Sequence, residues 1–460
     1  MFSTCVCMML KLKRWRSGII DMLGDQNITT LKQVVQFLES LTIMPKTMPG
    51  LHKIKQALIE TTWFSTLDAK KIIVVAGTNG KGSTSAYIES LLSEAKQKVG
   101  LYSSPHLVST TERIRVQKKQ IAERDFVELF QQCRLLIEKY ELSHFEALTL
   151  MAGHYFFSTD WSQNLDYVIF EVGLGGTFDA TNAFPHQYSV ITSLGLDHTN
   201  ILGKTLQEVA SNKFGIVHLN NVVVHHRLPE TVQTLQQQIQ KRTNSKWIEA
   251  VQYKYIVSKN ETLPQWYLET PWGTVRLSLL GPRSAENAAT ALALVAELGF
   301  DCKTCLSGLS ETYWPGRMQR FYWPELRAPL FLSGDHNPQG IQSLIEILKE
   351  FRWRELHLII GIGQDKEADE MLNQLVLLPR VKLYLTETPF KGRALSDYPV
   401  IYQKLAYRQN SDVTEILKQI ALDASNDQLR EEDLVVVTGS LYLVGAVLRE
   451  VASYKERMQF

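Results

Sequence analysis

The chain has 460 residues, 45% hydrophobic and 21% charged, the balance of an ordinary globular protein. Its 49 Lys and Arg nearly cancel its 48 Asp and Glu, which removes the electrostatic case for nucleic acid or an anionic membrane as partner. No run reaches the roughly 18–20 uninterrupted apolar residues of a membrane span, and the length exceeds what a single hydrophobic core serves, so two domains are the default.

At the N-terminus, MFSTCVCMMLKLKRWRSGII puts its short apolar run ahead of the basic cluster and shows no small-residue cleavage site. The order argues against an export signal and predicts an extension over 1–26, a flexible arm or the product of an upstream start codon. Cys5, Cys7, Cys133, Cys302 and Cys305 form an odd, sparse set that fits a reducing cytoplasm. Cys302 and Cys305 have CxxC spacing, but no second pair completes a zinc site, and they are expected as helix-end cysteines.

Along the chain, KIIVVAG (71–77) reads as a buried strand, followed by a Gly-rich turn and a helix from Ser83 to Ala95. Strands follow at VGLYS (99–103), DYVIFEVG (166–173), YSVITSLG (188–195) and NVVVHH (221–226), with helical segments between them. Continuous Val/Ile runs alternating with helices predict a mostly parallel sheet covered on both faces. Residues 246–280 break the rhythm and read as appended antiparallel strands, including TVRLSLLG (274–281), and Ala285–Leu298 is helical by propensity. Tyr313-Trp-Pro-Gly316 carries two breakers and marks the expected boundary, giving a central domain over 27–312 and a smaller Rossmann-like α/β domain over 313–460. Its strands are PLFLSG (329–334), ELHLIIGIG (355–363), VKLYLTE (381–387) and LVVVTGS (434–440).

The sharpest signal is Val75-Ala-Gly-Thr-Asn-Gly-Lys-Gly-Ser-Thr84, where a buried strand runs through glycines into a helix. Gly77, Gly80 and Gly82 let backbone N–H groups approach an anion, the helix N-terminus favours phosphate, and Lys81 adds a full charge. Ser83 and Thr84 supply hydroxyls for a phosphate oxygen or a metal. The general P-loop rule places Ser or Thr directly after Gly-Lys, whereas here Gly82 intervenes.

The stretch GTNGKGS (77–83) resembles that of the Mur ligase superfamily. Further segments resemble folylpolyglutamate synthase and bifunctional dihydrofolate synthase/folylpolyglutamate synthase: YSSPHL (102–107), TERIRV (111–116), EVGLGGTFDATN (171–182), LDH (196–198) and NKFGI (212–216). ENAATALA (286–293), WPGRMQ (314–319), GDHNP (334–338), QDK (364–366) and TGSLYLVG (438–445) continue the series in the family's order.

The resemblance implies a Mur-ligase-like ATP-binding domain and site residues at matching positions. Thr78, Asn79, Gly80, Lys81, Gly82, Ser83, Thr84, Asn287 and Arg317 would bind ATP. Ser104, Glu171 and His198 would hold Mg²⁺, a metal suited to oxygen donors and few protein ligands. Lys213 matches a lysine that becomes a carbamate, and His336 one near the phosphates. Ser143, His144, Phe145, Phe178, Asp179 and Ala180 fall where bifunctional relatives hold dihydropteroate. The family's aspartate three residues before the His of HNP is here Ser333. Asp335 is expected to take over its nucleotide contact, with Ser333 giving a lesser hydrogen bond; a solvated turn aspartate is the plain alternative.

The reaction so implied is amide formation through an acyl phosphate, with L-glutamate as the amine and a folate or dihydropteroate as the acid. Lys81, Arg317 and Mg²⁺ would neutralise charge, and closure of the two domains would complete the site. A monofunctional folylpolyglutamate synthase, a cell-wall Mur ligase, a P-loop NTPase and a non-catalytic nucleotide-binding protein are the alternatives. A monomer is expected.

Overall fold

The computed structural model describes residues 28–42, 50–161, 163–258, 263–323, 325–425 and 430–457. The extension expected over 1–26, with Cys5 and Cys7, lies outside them.

The first sheet has eight strands: β1 (Ile72–Ala76), β2 (Val99–Tyr102), β3 (Ile114–Val116), β4 (Lys119–Gln120), β5 (Tyr167–Glu171), β6 (Tyr188–Ile191), β7 (Val222–His225) and β8 (Lys246–Glu249). Their order is β4-β3-β2-β5-β1-β6-β7-β8. From β2 to β8 every pairing is parallel, and β3 and β4 add an antiparallel edge. β1 is fully buried and its side chains alternate between the two faces. Ile73 and Val75 meet the core beneath helices Lys81–Glu94 and Pro282–Glu297, while Ile72, Val74 and Ala76 meet the opposite core around helices Glu123–Lys139 and His144–Phe157. Such two-sided burial is why these strands read as unbroken apolar runs.

Residues 246–280 behave differently from the sequence expectation. β8 pairs parallel to β7, closing the first sheet rather than belonging to an antiparallel unit. Only β9 (Lys254–Ser258), β10 (Gln265–Thr270) and β11 (Gly273–Arg276) are antiparallel, in a separate three-stranded sheet. β11 stops at Arg276; the Leu277 N–H still donates to the Trp266 carbonyl of β10 at 2.8 Å, and the Leu277 and Leu279 side chains enter the core.

The last sheet holds β12 (Gln319–Phe321), β13 (Leu330–Leu332), β14 (Leu356–Ile360), β15 (Val381–Leu385), β16 (Arg408–Gln409) and β17 (Leu434–Thr438), in the order β12-β13-β17-β14-β15-β16. It is parallel except for the β12–β13 edge. The chain is thus α/β, with a mostly parallel central sheet and a smaller Rossmann-like sheet. Among the described residues no helix is long and apolar enough to cross a membrane. Cys302 and Cys305 are buried free thiols in a four-residue helix.

Candidate active site

The strand order brings three chain segments to one edge. β1 lies between β5 and β6, so the loops leaving their C-terminal ends are neighbours. Glu171 ends β5 beside Val75 of β1, and Ala76 pairs with Ile191 of β6, which leads toward Asp197 and His198. Open parallel sheets bind ligands at such a reversal of strand order. The linker and loops of the second sheet cover this edge, enclosing a cleft of about 260 Å³.

Thr78, Asn79, Gly80, Lys81, Gly82, Ser104, Glu171, His198, Lys213, Arg317 and His336 all line it. Gly80 begins the helix with φ of 89°, and a Cβ there would lie 2.4 Å from Asn287 Oδ1, so both conformation and space demand glycine. The first helical N–H groups have no intrahelical acceptor and form an anion-binding end. The Lys81 ammonium bridges the carbonyls of Gly77 and Thr78 at 3.2 Å each. Ser83 and Thr84 are buried behind this end, where the Thr84 hydroxyl donates to Asn287 Oδ1 at 3.1 Å.

Burial raises the Glu171 carboxyl pKa, against the pull of Lys81 and of the Ser104 N–H, which donates to Oε2 at 3.1 Å. Burial likewise lowers Lys81, with Glu171 opposing. His198 adopts the left-handed conformation, φ 49°, and burial lowers its pKa, favouring the neutral imidazole that a metal requires. Lys213 is pushed down to about 7 by burial and then by Lys81, and its amine donates to the Gly77 carbonyl at 2.8 Å. His336 is lowered to about 4 by burial and by Lys366.

The remaining expected residues stand apart from the cleft. Ser143 caps helix His144–Phe157, and His144 Nδ1 faces the Leu38 carbonyl at 2.9 Å. The Phe145 ring covers Gly173, whose backbone lines the cleft; a Cβ on Gly173 would lie 2.6 Å from it. Phe178 is exposed and Ala180 buried. Asp179 is also buried: it accepts the N–H groups of Gly173 and Leu174 at 3.0 Å each and both the N–H and hydroxyl of Thr181, which shapes the glycine loop. Asp335 accepts the Ser333 hydroxyl at 2.5 Å, and burial raises its pKa against Ser333, Arg317 and Arg283.

Asp197 and Lys366 are functional candidates that motif reading passed over. Asp197 accepts Lys366 Nζ and Asn337 Nδ2, each at 3.0 Å, and the His198 N–H at 2.8 Å. Asn79 Nδ2 donates to Gln339 Oε1 at 2.8 Å. These bonds tie the phosphate-loop side of the cleft to the second sheet. The signal was present in LDH, where Asp197 precedes His198, and in QDK, a segment that carries the family resemblance and ends on Lys366.

The donors suit the ligands. A neutral imidazole, a carboxylate and Ser104 offer a divalent cation few protein ligands, leaving positions for phosphate and water. The Lys81 ammonium and the open helix end suit a polyphosphate. This arrangement, a phosphate loop joined through a linker arginine to a second α/β sheet, defines an ATP-dependent ligase of the Mur type. Residues 75–295 match the Mur ligase middle domain, and residues 320–450 the dihydrofolate synthetase C-terminal domain. The dihydrofolate synthase/folylpolyglutamate synthase of Bacillus subtilis (strain 168) is 28% identical over 426 residues, 88% of this chain and 95% of that one. Its Escherichia coli (strain K12) counterpart is 31% identical over 389 residues, 83% of this chain and 86% of that one. The solved structure of E. coli FolC in complex with DHPP and ADP superposes with a TM-score of 0.77 at 28% identity, covering 94% of this chain and 99% of that one. The chain belongs to the dihydrofolate synthase/folylpolyglutamate synthase family.

Proposed function

We propose that this chain uses ATP and a divalent cation such as Mg²⁺ to join L-glutamate to tetrahydrofolate, and also to 7,8-dihydropteroate. The observation carrying the reading is the convergence of Lys81, Glu171, His198, Lys213, Arg317 and His336 on one cleft of about 260 Å³. In the reaction, the terminal phosphoryl group of ATP passes to the acceptor carboxylate, and the glutamate amine displaces phosphate to form the amide. Lys81 and the helix N-terminus hold the polyphosphate, and Arg317 offsets charge developing on the transferred group. Glu171, His198 and Ser104 would hold the cation, which supplies charge neutralisation when bound. Burial, which lowers the His336 imidazole to about 4, favours its neutral form, so it serves as an uncharged polar contact lining the cleft.

Both walls of the cleft come from one chain, which supports action as a monomer. The free, buried Cys133, Cys302 and Cys305 support a reducing cytoplasm. The deciding experiment measures ATP- and Mg²⁺-dependent ligation of glutamate to each acceptor separately. Glutamylation of tetrahydrofolate without that of dihydropteroate reduces the function to folylpolyglutamate synthesis. ATP turnover indifferent to glutamate and to both acceptors returns the chain to the nucleotide hydrolases.

A further inference from the structure

The segment from Leu306 to Arg317, which leads out of the central domain, touches the phosphate-loop helix at two places. Gly308 packs at Ser90, whose hydroxyl donates to its carbonyl at 2.7 Å, and a Cβ on Gly308 would lie 2.8 Å from the Ser90 carbonyl oxygen. Further along, Trp314 lies on the helix's first turn, where a Cβ on Gly82 would be 2.7 Å from its indole ring. The Arg115 guanidinium also lies over the indole, 4.7 Å from the ring centroid. Arg115 is fixed in turn by an ion pair with buried Glu89. Gly82 and Glu89 are seven residues apart and so share one face of the helix, along which Trp314 and Arg115 form a continuous stack.

Directly after Trp314 the chain turns through Gly316, φ 73°, whose carbonyl accepts the Gly334 N–H at 2.7 Å. Arg317 enters the cleft from that turn. No hydrogen bond or ion pair to the Arg317 guanidinium is formed among the described residues; beyond the longer-range pull of Glu171 and Asp335, the backbone that carries it sets its place. Trp314 and Gly316 are the fixed points of that backbone, one on the phosphate loop and the other on the loop before His336.

We propose that Trp314 is a positioning residue that sets the linker arginine, Arg317, against the phosphate cradle, and that position 82 is glycine to receive its indole. This accounts for the departure of GKGS from the usual Gly-Lys-Ser/Thr order: a side chain at 82 would displace the indole, and with it the segment leading to Arg317. The inference rests on the ligase reading for its kinetic readout, but its nucleotide readout does not depend on that reading.

The test is a double-mutant cycle between positions 314 and 317, with a melting curve for each variant. Trp314→Ala should lower kcat about 10²-fold, the scale of an ångström's misplacement of a reacting group. KM for the folate acceptor should stay within a few-fold, and Trp314→Phe should restore most of kcat. Adding Arg317→Ala to Trp314→Ala should cost little more than either alone, because both remove the same interaction. The affinity for Mg²⁺ and AMP-PNP, titrated calorimetrically on the same variants, should show the same non-additivity. Additive losses, or a folded Trp314→Ala protein with normal kcat and normal AMP-PNP affinity, overturn the proposal. A wild-type chain that ligates nothing overturns the ligase reading instead, and the AMP-PNP cycle still decides the role of Trp314.

Discussion

The amine of Lys213 donates to the carbonyl of Gly77 at 2.8 Å, which sets a buried lysine against the first residue of the phosphate loop. Burial and then Lys81 push that amine down to about 7, against roughly 10.4 for an unperturbed lysine. The folded chain therefore releases this proton earlier than the unfolded chain, and stability from the group rises with pH from about 7 to about 10.4.

A carbamate forms from the neutral amine and carbon dioxide, so this environment favours the modification that the family resemblance implies. The expectation is that bicarbonate raises the activity of a carbonate-depleted preparation, increasingly so as pH climbs through about 7. Lys213→Arg should lose both the activity and the response. In a crystal with bound nucleotide, density should continue beyond Nζ; an unmodified ammonium turned to solvent would exclude the carbamate.

Lys81 offers the phosphate loop its only full charge. Lys81→Ala should lower turnover by on the order of 10²–10³, the usual cost of removing one group that stabilises transition-state charge. The melting temperature should change little, since burial disfavours the ammonium and, among the described residues, its hydrogen bonds go only to the loop's own carbonyls. Near-normal turnover in this variant would remove the loop from the chemistry.

How much of this could be read in the sequence depends on where each element gets its stability. β1, β5, β6, β14 and β17 lie inside sheets, and their runs of Val and Ile announce it. β4, β12 and β16 are edge strands and β3 lies one strand in from the edge; all have two or three residues and are held by backbone pairing that needs no apolar pattern. β8 misleads because Lys246 and Glu249 are exposed, giving a parallel edge strand the look of an antiparallel one. Within the site, Lys81, Glu171, His198 and Lys213 sit in motifs with local signatures. Asp197, Lys366, Gly82 and Trp314 also sit in such segments, but their pairing has no local signature, because each pair exists only once distant segments meet.

Asp197 and Lys366 yield a prediction of their own. Burial alone would raise the aspartate, but Lys366, His198 and His336 hold it well below the ordinary carboxylate range. The contribution of the pair is thus complete above the unfolded pKa of about 3.9 and is lost only as pH falls through the lower folded value. A cycle of Asp197→Asn and Lys366→Met should show a coupling of about 1 kcal/mol or more at pH 7, within the range for contacting charged residues. The coupling should be unchanged at pH 5. Fully additive variants would mean that the two sides of the cleft are held together by other bonds.

The last prediction concerns Ser333 and Asp335. From sequence alone the pair invites the idea that an aspartate has moved by two positions, so that Ser333→Asp should be harmless. The structure argues otherwise: the Ser333 hydroxyl donates to Asp335 Oδ2 at 2.5 Å, and the Asp335 carboxylate feels the charges of Arg317 and Arg283. A second carboxylate at 333 would face the first across that distance, and two such groups cannot both ionise without a raised pKa. Ser333→Asp is therefore expected to raise KM for ATP several-fold at pH 7 and to recover in part at lower pH, where one carboxyl is protonated. Asp335→Ala should also raise KM for ATP, since it leaves Arg317 and Arg283 without their shared counter-charge. The exchange Ser333→Asp with Asp335→Ser keeps one carboxylate and one hydroxyl in contact, and should bring KM back toward the parent value. If the exchange is no better than Ser333→Asp alone, the carboxylate is needed at 335 itself. If Asp335→Ala leaves ATP dependence untouched, the contact made by the family's aspartate has been lost in this chain rather than moved.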